Sequence, residues 1–288
     1  MTIQLIVDNI ELPIKVITFS DGGTNVKLEV PQKLIDNSPS AYYSISVDPT
    51  TPVDNYLWEI ALVNDSINRV WGWDKFNKAI LHLPYLPHGR ADRVFEVGNP
   101  HPLEVFLTMI QPCFDEVFLT DPHSNFYKSY EQLIDFTVKS QHQCFIETVR
   151  DIKSGDFIVA PDKGALNKIY KLQQALDTRL IATRVLEAGK KRNIETGRVV
   201  ETTLPEDIDL NGTTCYIVDD LLDAGGTFIP LANKLREAGA KEVNLYVTHG
   251  IFSKGLDILK GVLDNIYVYQ TVGKYVNLQN INDFNKGI

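Results

Sequence analysis

The chain has 288 residues, 44% of them hydrophobic and 23% charged, a balance typical of a globular protein with room for two domains. A formal net charge of −9, with no basic run, argues against nucleic acid as a partner, and no apolar run approaches membrane-spanning length. The three cysteines, Cys113, Cys144 and Cys215, have neither zinc-ligand spacing nor an even count, and no basic segment with a cleavage site opens the chain, so a reduced, cytoplasmic setting is expected.

In chain order, residues 3–7 and 14–19 read as strands. The second ends in Phe19-Ser20-Asp21-Gly22-Gly23, which taken alone is a hairpin turn before the alternating VKLEV of residues 26–30. Residues 42–48 predict a strand broken by Pro49 and Pro52. Residues 53–68 predict a helix with Val53, Leu57, Ile60, Ala61, Asn64 and Ile67 on its inner side. Trp71 and Trp73 are expected to pack against a surface. The strand KAILHLPYL then runs into Pro87-His88-Gly89-Arg90-Ala91-Asp92-Arg93, where two arginines flanking Asp92 form either a bidentate phosphate clamp or a solvated loop. A helix over 102–112 precedes a strand that ends in Asp121-Pro122-His123. There, His123 is either a metal or phosphate contact or a structural histidine. Residues 126–136 read as a surface helix or loop.

The second half is expected to begin at residue 143, giving domains 1–142 and 143–288. Cys144–Val149, Asp156–Ala160 and residues 179–186 read as strands, with a helix over 165–176 and the turn Pro161-Asp162-Lys163-Gly164 leading into it. EAGKKRNIETGRVVET, residues 187–202, has few apolar anchors and reads as a mobile hairpin or flap carrying Lys190, Lys191 and Arg192. The stretch on which the chain is organised is 213–239. Its apolar strand Cys215–Val218 meets Asp219 and Asp220 at once, then Asp223, before Ala224-Gly225-Gly226-Thr227 turns the chain into a helix that stops at Gly239. A strand, a glycine turn and a helix in that order present free backbone N–H groups with a helix dipole behind them, which is an anion cradle. Carboxylates just upstream suit ribose hydroxyls or a bridging metal ion. A last strand, KEVNLYVTHGIFS, ends in His249, as the strand FDEVFLTDPH ends in His123. The two halves therefore predict two similar α/β domains, each a largely parallel sheet flanked by helices.

The segment at 219–227 resembles the phosphoribosyl-diphosphate (PRPP) loop shared by type I phosphoribosyltransferases and ribose-phosphate diphosphokinases, the PRPP synthetases. FSDGG at 19–23, LPYLPHGRADR at 83–93, TDPH at 120–123, VAPDKGA at 159–165 and YVTHGIFSKG at 246–255 are similar, in order and spacing, to segments of the PRPP synthetases, and the last is absent from ordinary phosphoribosyltransferases. The resemblance implies that Phe19 and Asp21 hold the adenine of ATP near a subunit contact of a homo-oligomer, and that Arg90, Asp92 and Arg93 serve its triphosphate. It places Mg2+ against His123 and Asp162, and ribose 5-phosphate on Asp219, Asp220, Asp223, Ala224, Gly225, Gly226 and Thr227. Lys190 and Arg192 stand at the spacing of a catalytic Lys-x-Arg pair. The implied reaction is transfer of a diphosphoryl group from ATP to the anomeric 1-hydroxyl of ribose 5-phosphate, giving PRPP and AMP.

The chain departs from the family pattern at Gly23, where a glutamate is usual, in GRADR, in the flap, at Ala224, where a threonine is usual, and in its short C-terminal end. The change at Ala224 keeps open the same chemistry on a larger 5-substituted ribose such as ADP-ribose. A PRPP-consuming phosphoribosyltransferase and a non-catalytic regulatory paralogue are the readings from other classes.

Overall fold

A computed structural model describes residues 3–37, 41–51, 53–73, 75–192 and 199–287. Contacts divide the chain into two units, Met1–Lys139 and Ser140–Ile288.

In the first unit the elements are β1 (Ile3–Val7), β2 (Ile10–Leu12), β3 (Ile14–Thr18), β4 (Thr24–Leu28), α1 (Gln32–Asn37), β5 (Tyr42–Val47), α2 (Val53–Trp71), β6 (Lys78–Leu83), α3 (Pro102–Ile110), β7 (Glu116–Thr120) and β8 (Asp135–Lys139). One sheet has the order β2-β1-β5-β6-β7-β8, with β5 to β8 parallel and the β2-β1-β5 edge antiparallel. Alternation sends Leu5, Ile45, Leu81, Leu83, Val117 and Leu119 into one core with Ile60, Ile67, Phe106 and Leu107 from the helices. β3 and β4 form a separate hairpin.

The second unit contains α4 (Gln141–Thr148), β9 (Phe157–Ala160), α5 (Leu166–Asp177), β10 (Arg184–Glu187), β11 (Gly189–Arg192), β12 (Val199–Thr203), β13 (Thr214–Leu222), α6 (Phe228–Glu237), β14 (Glu242–Gly250), β15 (Asn265–Thr271) and α7 (Leu278–Asn285). Its five-stranded sheet, β10-β9-β13-β14-β15, is parallel throughout, and β11 pairs with β12 as an antiparallel hairpin. Strands covered on both faces read as continuous apolar runs, as Phe157–Ala160 and Cys215–Val218 do. Side-chain alternation then splits the interior in two. Cys215, Ile217, Leu245 and Val247 pack with α6, whereas Tyr216, Val218 and Tyr246 pack with α4 and α5.

The order of this sheet reverses direction between β9 and β13. From β9 the chain steps outward to β10, and from β13 it steps the opposite way to β14 and β15. A crevice opens outside the carboxyl ends of the strands at such a switch point, the usual ligand position in open α/β sheets. The segments that emerge there are Pro161–Ala165 after β9 and Asp223–Thr227 after β13.

Several local expectations are corrected. Cys144–Thr148 is helical and Val149 is extended at its end, because Gln143 Oε1 accepts the Ser140 N–H at 2.8 Å and so closes a capping box that starts α4, and because Cys144 and Phe145 fill one helix face. β13 continues through Asp219 and Asp220 to Leu222, since pairing with β14 extends to Leu222↔Gly250. Residues 135–139 form β8, hidden in sequence by its charged ends. β10 starts only at Arg184, after a turn in which Leu180 takes a φ of 61°. Along α2 the buried face holds Tyr56, Ile60, Val63, Asn64 and Ile67, with Ala61 exposed. Trp71 packs edge-on against Phe76, but Trp73 is 69% exposed and packs on nothing large.

Phe145 is fully buried, with its ring edge-on to Tyr246 at 4.8 Å. Phe145→Ala is expected to lower unfolding stability by about 3–5 kcal/mol, the usual result of emptying an aromatic core site. Trp73→Ala should change it by less than about 0.5 kcal/mol. Denaturant titrations of both variants check the contrast.

Candidate active site

The acids of the second unit sit inside the end of a buried strand. Asp220 is 6% exposed and accepts a hydrogen bond from Lys168 Nζ of α5 at 3.2 Å. Asp219 projects to the other face of β13, partly buried, and its Oδ1 accepts the Asp220 N–H at 2.9 Å. Burial, then the charge of Asp220, and further the charge of Asp162, push the Asp219 carboxyl well above the usual carboxylate range; the Asp220 N–H and the Lys168 ammonium oppose this. Asp162 lies in the turn after β9, where its Oδ1 accepts the Gly164 N–H at 3.0 Å. Three carboxylates are thus gathered around one lysine at the switch point.

The turn from β13 into α6 forms the cradle. Ala224 and Gly226 are exposed, and Gly225 is buried with a φ of +76°. A β-carbon at Gly225 would press on Ile229, Leu259 and Ile258 at 3.2–3.4 Å, so both conformation and space select glycine. The Phe228 and Ile229 N–H groups both donate to Gly225 O at 3.0 Å, which starts the helix. Among the described residues, the N–H groups of Ala224, Gly225, Gly226 and Thr227 have no partner, and Thr227 Oγ1 makes no capping bond. Four open donors at the positive end of a ten-residue helix suit a phosphate. Asp223, just ahead of them, accepts a hydrogen bond from Ser253 Oγ.

The cationic segment is a hairpin. Lys190 pairs with Thr202 and Arg192 with Val199, with a register shift between Lys191 and Arg192. Both residues of the Lys-x-Arg pair lie on β11; their side chains, and all of residues 193–198, lie outside what the structure describes.

In the first unit, loops at the carboxyl ends of β6 and β7 lie side by side. Gly89 lies against His123, with its β-carbon position 3.5 Å from His123 Cβ. Arg90 and His123 are exposed on these loops, Asp92 is partly buried, and the Arg93 guanidinium lies 5.3 Å from the centre of the Phe95 ring. Asp121, which precedes His123, is buried with a φ of 37°, and its N–H donates to Lys139 O at 2.8 Å. Phe19 and Asp21 occupy the turn of the β3–β4 hairpin, as the turn residues imply. The Phe19 N–H donates to Gly23 O at 2.8 Å, Asp21 Oδ1 accepts the Gly23 N–H at 2.9 Å, and the Phe19 ring is 54% exposed.

Three further positions lie near these groups: Lys168 is outside the sequence motifs, whereas Ser253 and His249 lie within YVTHGIFSKG. Lys168 is one turn into α5, and only the need of a buried Asp220 for a cation points to it. Ser253 lies within THGIFSKG, yet its bond to Asp223 follows from the course of the loop. His249 is buried, and its Nδ1 lies 2.9 Å from Gln270 Nε2, which as donor places the ring proton on Nε2.

Residues 143–272 match the phosphoribosyl transferase domain, and the second unit is of that class. The likeness extends across the chain. The crystal structure of phosphoribosylpyrophosphate synthetase from Mycobacterium smegmatis aligns over 91% of this chain and 81% of its own, with a TM-score of 0.69 at 20% identity, so the fold is shared. The ribose-phosphate pyrophosphokinase of Pyrococcus abyssi is 31% identical over 238 residues, 81% of this chain and 78% of the relative, and that of Pyrococcus furiosus 29% identical over 226 residues. The chain belongs to the ribose-phosphate pyrophosphokinase family.

The acid cluster has a measurable cost. A carboxyl whose folded-state pKa is raised binds its proton more tightly in the native protein than in the unfolded chain. Its destabilising effect is therefore absent below the unfolded value of about 3.9 and grows as pH rises towards the native one. Asp219→Asn, which keeps the acceptor for the Asp220 N–H, is expected to raise the melting temperature at neutral pH, by roughly 2–4 °C for each kcal/mol recovered. The gain should vanish near pH 3. Melting curves from pH 3 to 8, taken without divalent cations, check this; a lower melting temperature for the variant at neutral pH contradicts it.

Proposed function

We propose that the protein transfers a diphosphoryl group from ATP to the anomeric 1-hydroxyl of ribose 5-phosphate, yielding PRPP and AMP. The observation that carries this is the unpaired amide cradle of residues 224–227, set directly beyond three acids at the switch point of a chain in this family. The four N–H groups and the α6 dipole take the 5-phosphate, with the missing Cβ of Gly226 letting the anion approach. Asp220 and Asp223 accept hydrogen bonds from the ring hydroxyls, and Asp219 stands behind them. Such contacts fix the ring and leave the 1-hydroxyl as the reacting group.

On the ATP side, Arg90 and Arg93 take the triphosphate at the end of β6, with Asp92 between them. Phe19 and Asp21 serve the adenine from the hairpin turn, and the exposure of Phe19 fits a site shared with a second copy of the chain. Lys190 and Arg192, on β11, meet charge that builds on the phosphoryl oxygens in the transition state. As the hairpin covers the site, it also excludes water that would hydrolyse ATP.

Mg2+ fits the donor set. Asp162, Asp219 and Asp220 lie near Lys168, and burial first, then the charges of Asp220 and Asp162, push the Asp219 carboxyl upward. No group of three or more His, Cys, Asp or Glu residues among the described residues is arranged to hold a metal alone. That suits an ion held by one or two carboxylates and completed by phosphates and water. By the family resemblance His123 in the first unit and Asp162 in the second would each meet Mg2+, directly or through water, and Mg2+ would neutralise charge on the phosphates.

Incubation with ATP, Mg2+ and either ribose 5-phosphate or ADP-ribose, followed by mass spectrometry, tests the reading. Ribose 5-phosphate should gain two phosphates as AMP appears in equal amount. Gain by ADP-ribose alone, or no AMP, overturns the assignment. Lys190→Ala and Arg192→Ala should each lower kcat by about a hundredfold or more while changing both KM values little, because their contacts form only in the transition state. Steady-state kinetics with each substrate varied in turn checks the split.

A further inference from the structure

The loop after β14 is built against the acids of the sugar site, and the contacts fall at three successive points. Gly250, the last residue of β14, has no room for a side chain, since a β-carbon there would lie 2.3 Å from the Phe252 ring. Phe252 is buried and takes a φ of 57°, a left-handed conformation that a bulky residue adopts only where its surroundings impose it. This bend aims the Ile251 and Phe252 N–H groups at one acceptor, Leu222 O, at 2.7 and 3.4 Å. Leu222 is the residue before Asp223. The next residue of the loop, Ser253, donates its hydroxyl to Asp223 Oδ1. Further on, the side chains of Ile258 and Leu259 close the space over Gly225. The segment thus grips the backbone before Asp223, the carboxylate of Asp223 and the glycine of the cradle.

Ser253 differs from the other two contacts in being exposed. Its hydroxyl is not needed to satisfy a buried group, and water can replace it without cost to the core. Its bond restrains the rotation of the Asp223 carboxylate at the rim of the cradle. We propose that Ser253 is a positioning residue for ribose 5-phosphate: it holds Asp223 in the orientation in which the carboxylate meets the sugar. The inference rests on the proposed function for the identity of the sugar.

The expected result for Ser253→Ala is a rise of about tenfold in KM for ribose 5-phosphate, the lower end of what a hydrogen bond to a charged group is worth. KM for ATP and the melting temperature should stay unchanged. Ser253→Thr keeps the hydroxyl and should return KM for ribose 5-phosphate towards the parent value. An unchanged KM for the sugar, a parallel rise in both KM values, or a threonine variant no better than alanine overturns the proposal. Calorimetric titration with ribose 5-phosphate, without ATP, separates this from the catalytic reading. A parent that binds the sugar but releases no AMP overturns the catalytic reading alone, and weaker binding by Ser253→Ala then still supports the role of Ser253. Equal affinity of parent and variant overturns the role whatever the activity, and absence of binding by the parent overturns both.

Discussion

Three carboxylates held near one ammonium at the end of a buried strand form the constraint to which the second unit is fitted. Burial of Asp220 is offset by Lys168, which reaches it from α5. Asp219, on the opposite face of the same strand, is relieved only in part by the Asp220 N–H and the Lys168 charge, and burial makes it hold its proton more tightly. The helix that supplies Lys168 belongs to the core on the Tyr216 side, and the helix that supplies the cradle belongs to the core on the Ile217 side. The parallel sheet between them brings the two sets of groups to one edge. The negative charge that remains is of the sign that a cation would offset.

Much of this was legible in the residues. The order of apolar run, acids, glycines and helix at 215–238 encodes strand, turn and anion cradle, because each residue type acts locally: glycine by conformation, aspartate by charge at a strand end, the helix by its dipole. The ring of β3–β4 turn residues was equally plain, and the bonds among Phe19, Asp21 and Gly23 are those of a tight turn. What could not be read depends on partners distant in sequence. Cys144–Val149 looks like a strand because its apolar residues are adjacent, and only the Ser140–Gln143 box and the aromatic pocket of Tyr216 and Tyr246 make Cys144–Thr148 a helix. The length of β13 follows from its ladder with β14 rather than from its own composition. Lys168 carries no local signal, and the motif around Ser253 does not reveal the acid that Ser253 meets.

The two units use the same device with different chemistry. In the first, the loops after β6 and β7 present the exposed residues Arg90 and His123, and Gly89 lies against His123. In the second, the corresponding edge presents backbone amides and acids. Guanidinium groups suit a mobile polyphosphate that must arrive and leave as two pieces, while a fixed nest of amides suits a terminal phosphate that stays in one place through the reaction. The division follows the sequence: arginines lie where the chain is a loop, and glycines where it turns into a helix.

The parallel order of the second sheet also governs when the sugar site can come into being. β9 lies beside β13, with Ile158 opposite Tyr216, and the whole β10–β12 region intervenes between them in the chain. Pairing of this kind is non-local and slow, because a long loop must close before any hydrogen bond rewards it. The acid from the β9 turn and the acids from β13 therefore meet only once β9 and β13 have paired. Until then β9 carries an open apolar edge, the part of the nascent chain most exposed to wrong pairing. Any ligand that touched both turns could bind only the finished sheet, and by mass action it would favour the paired state.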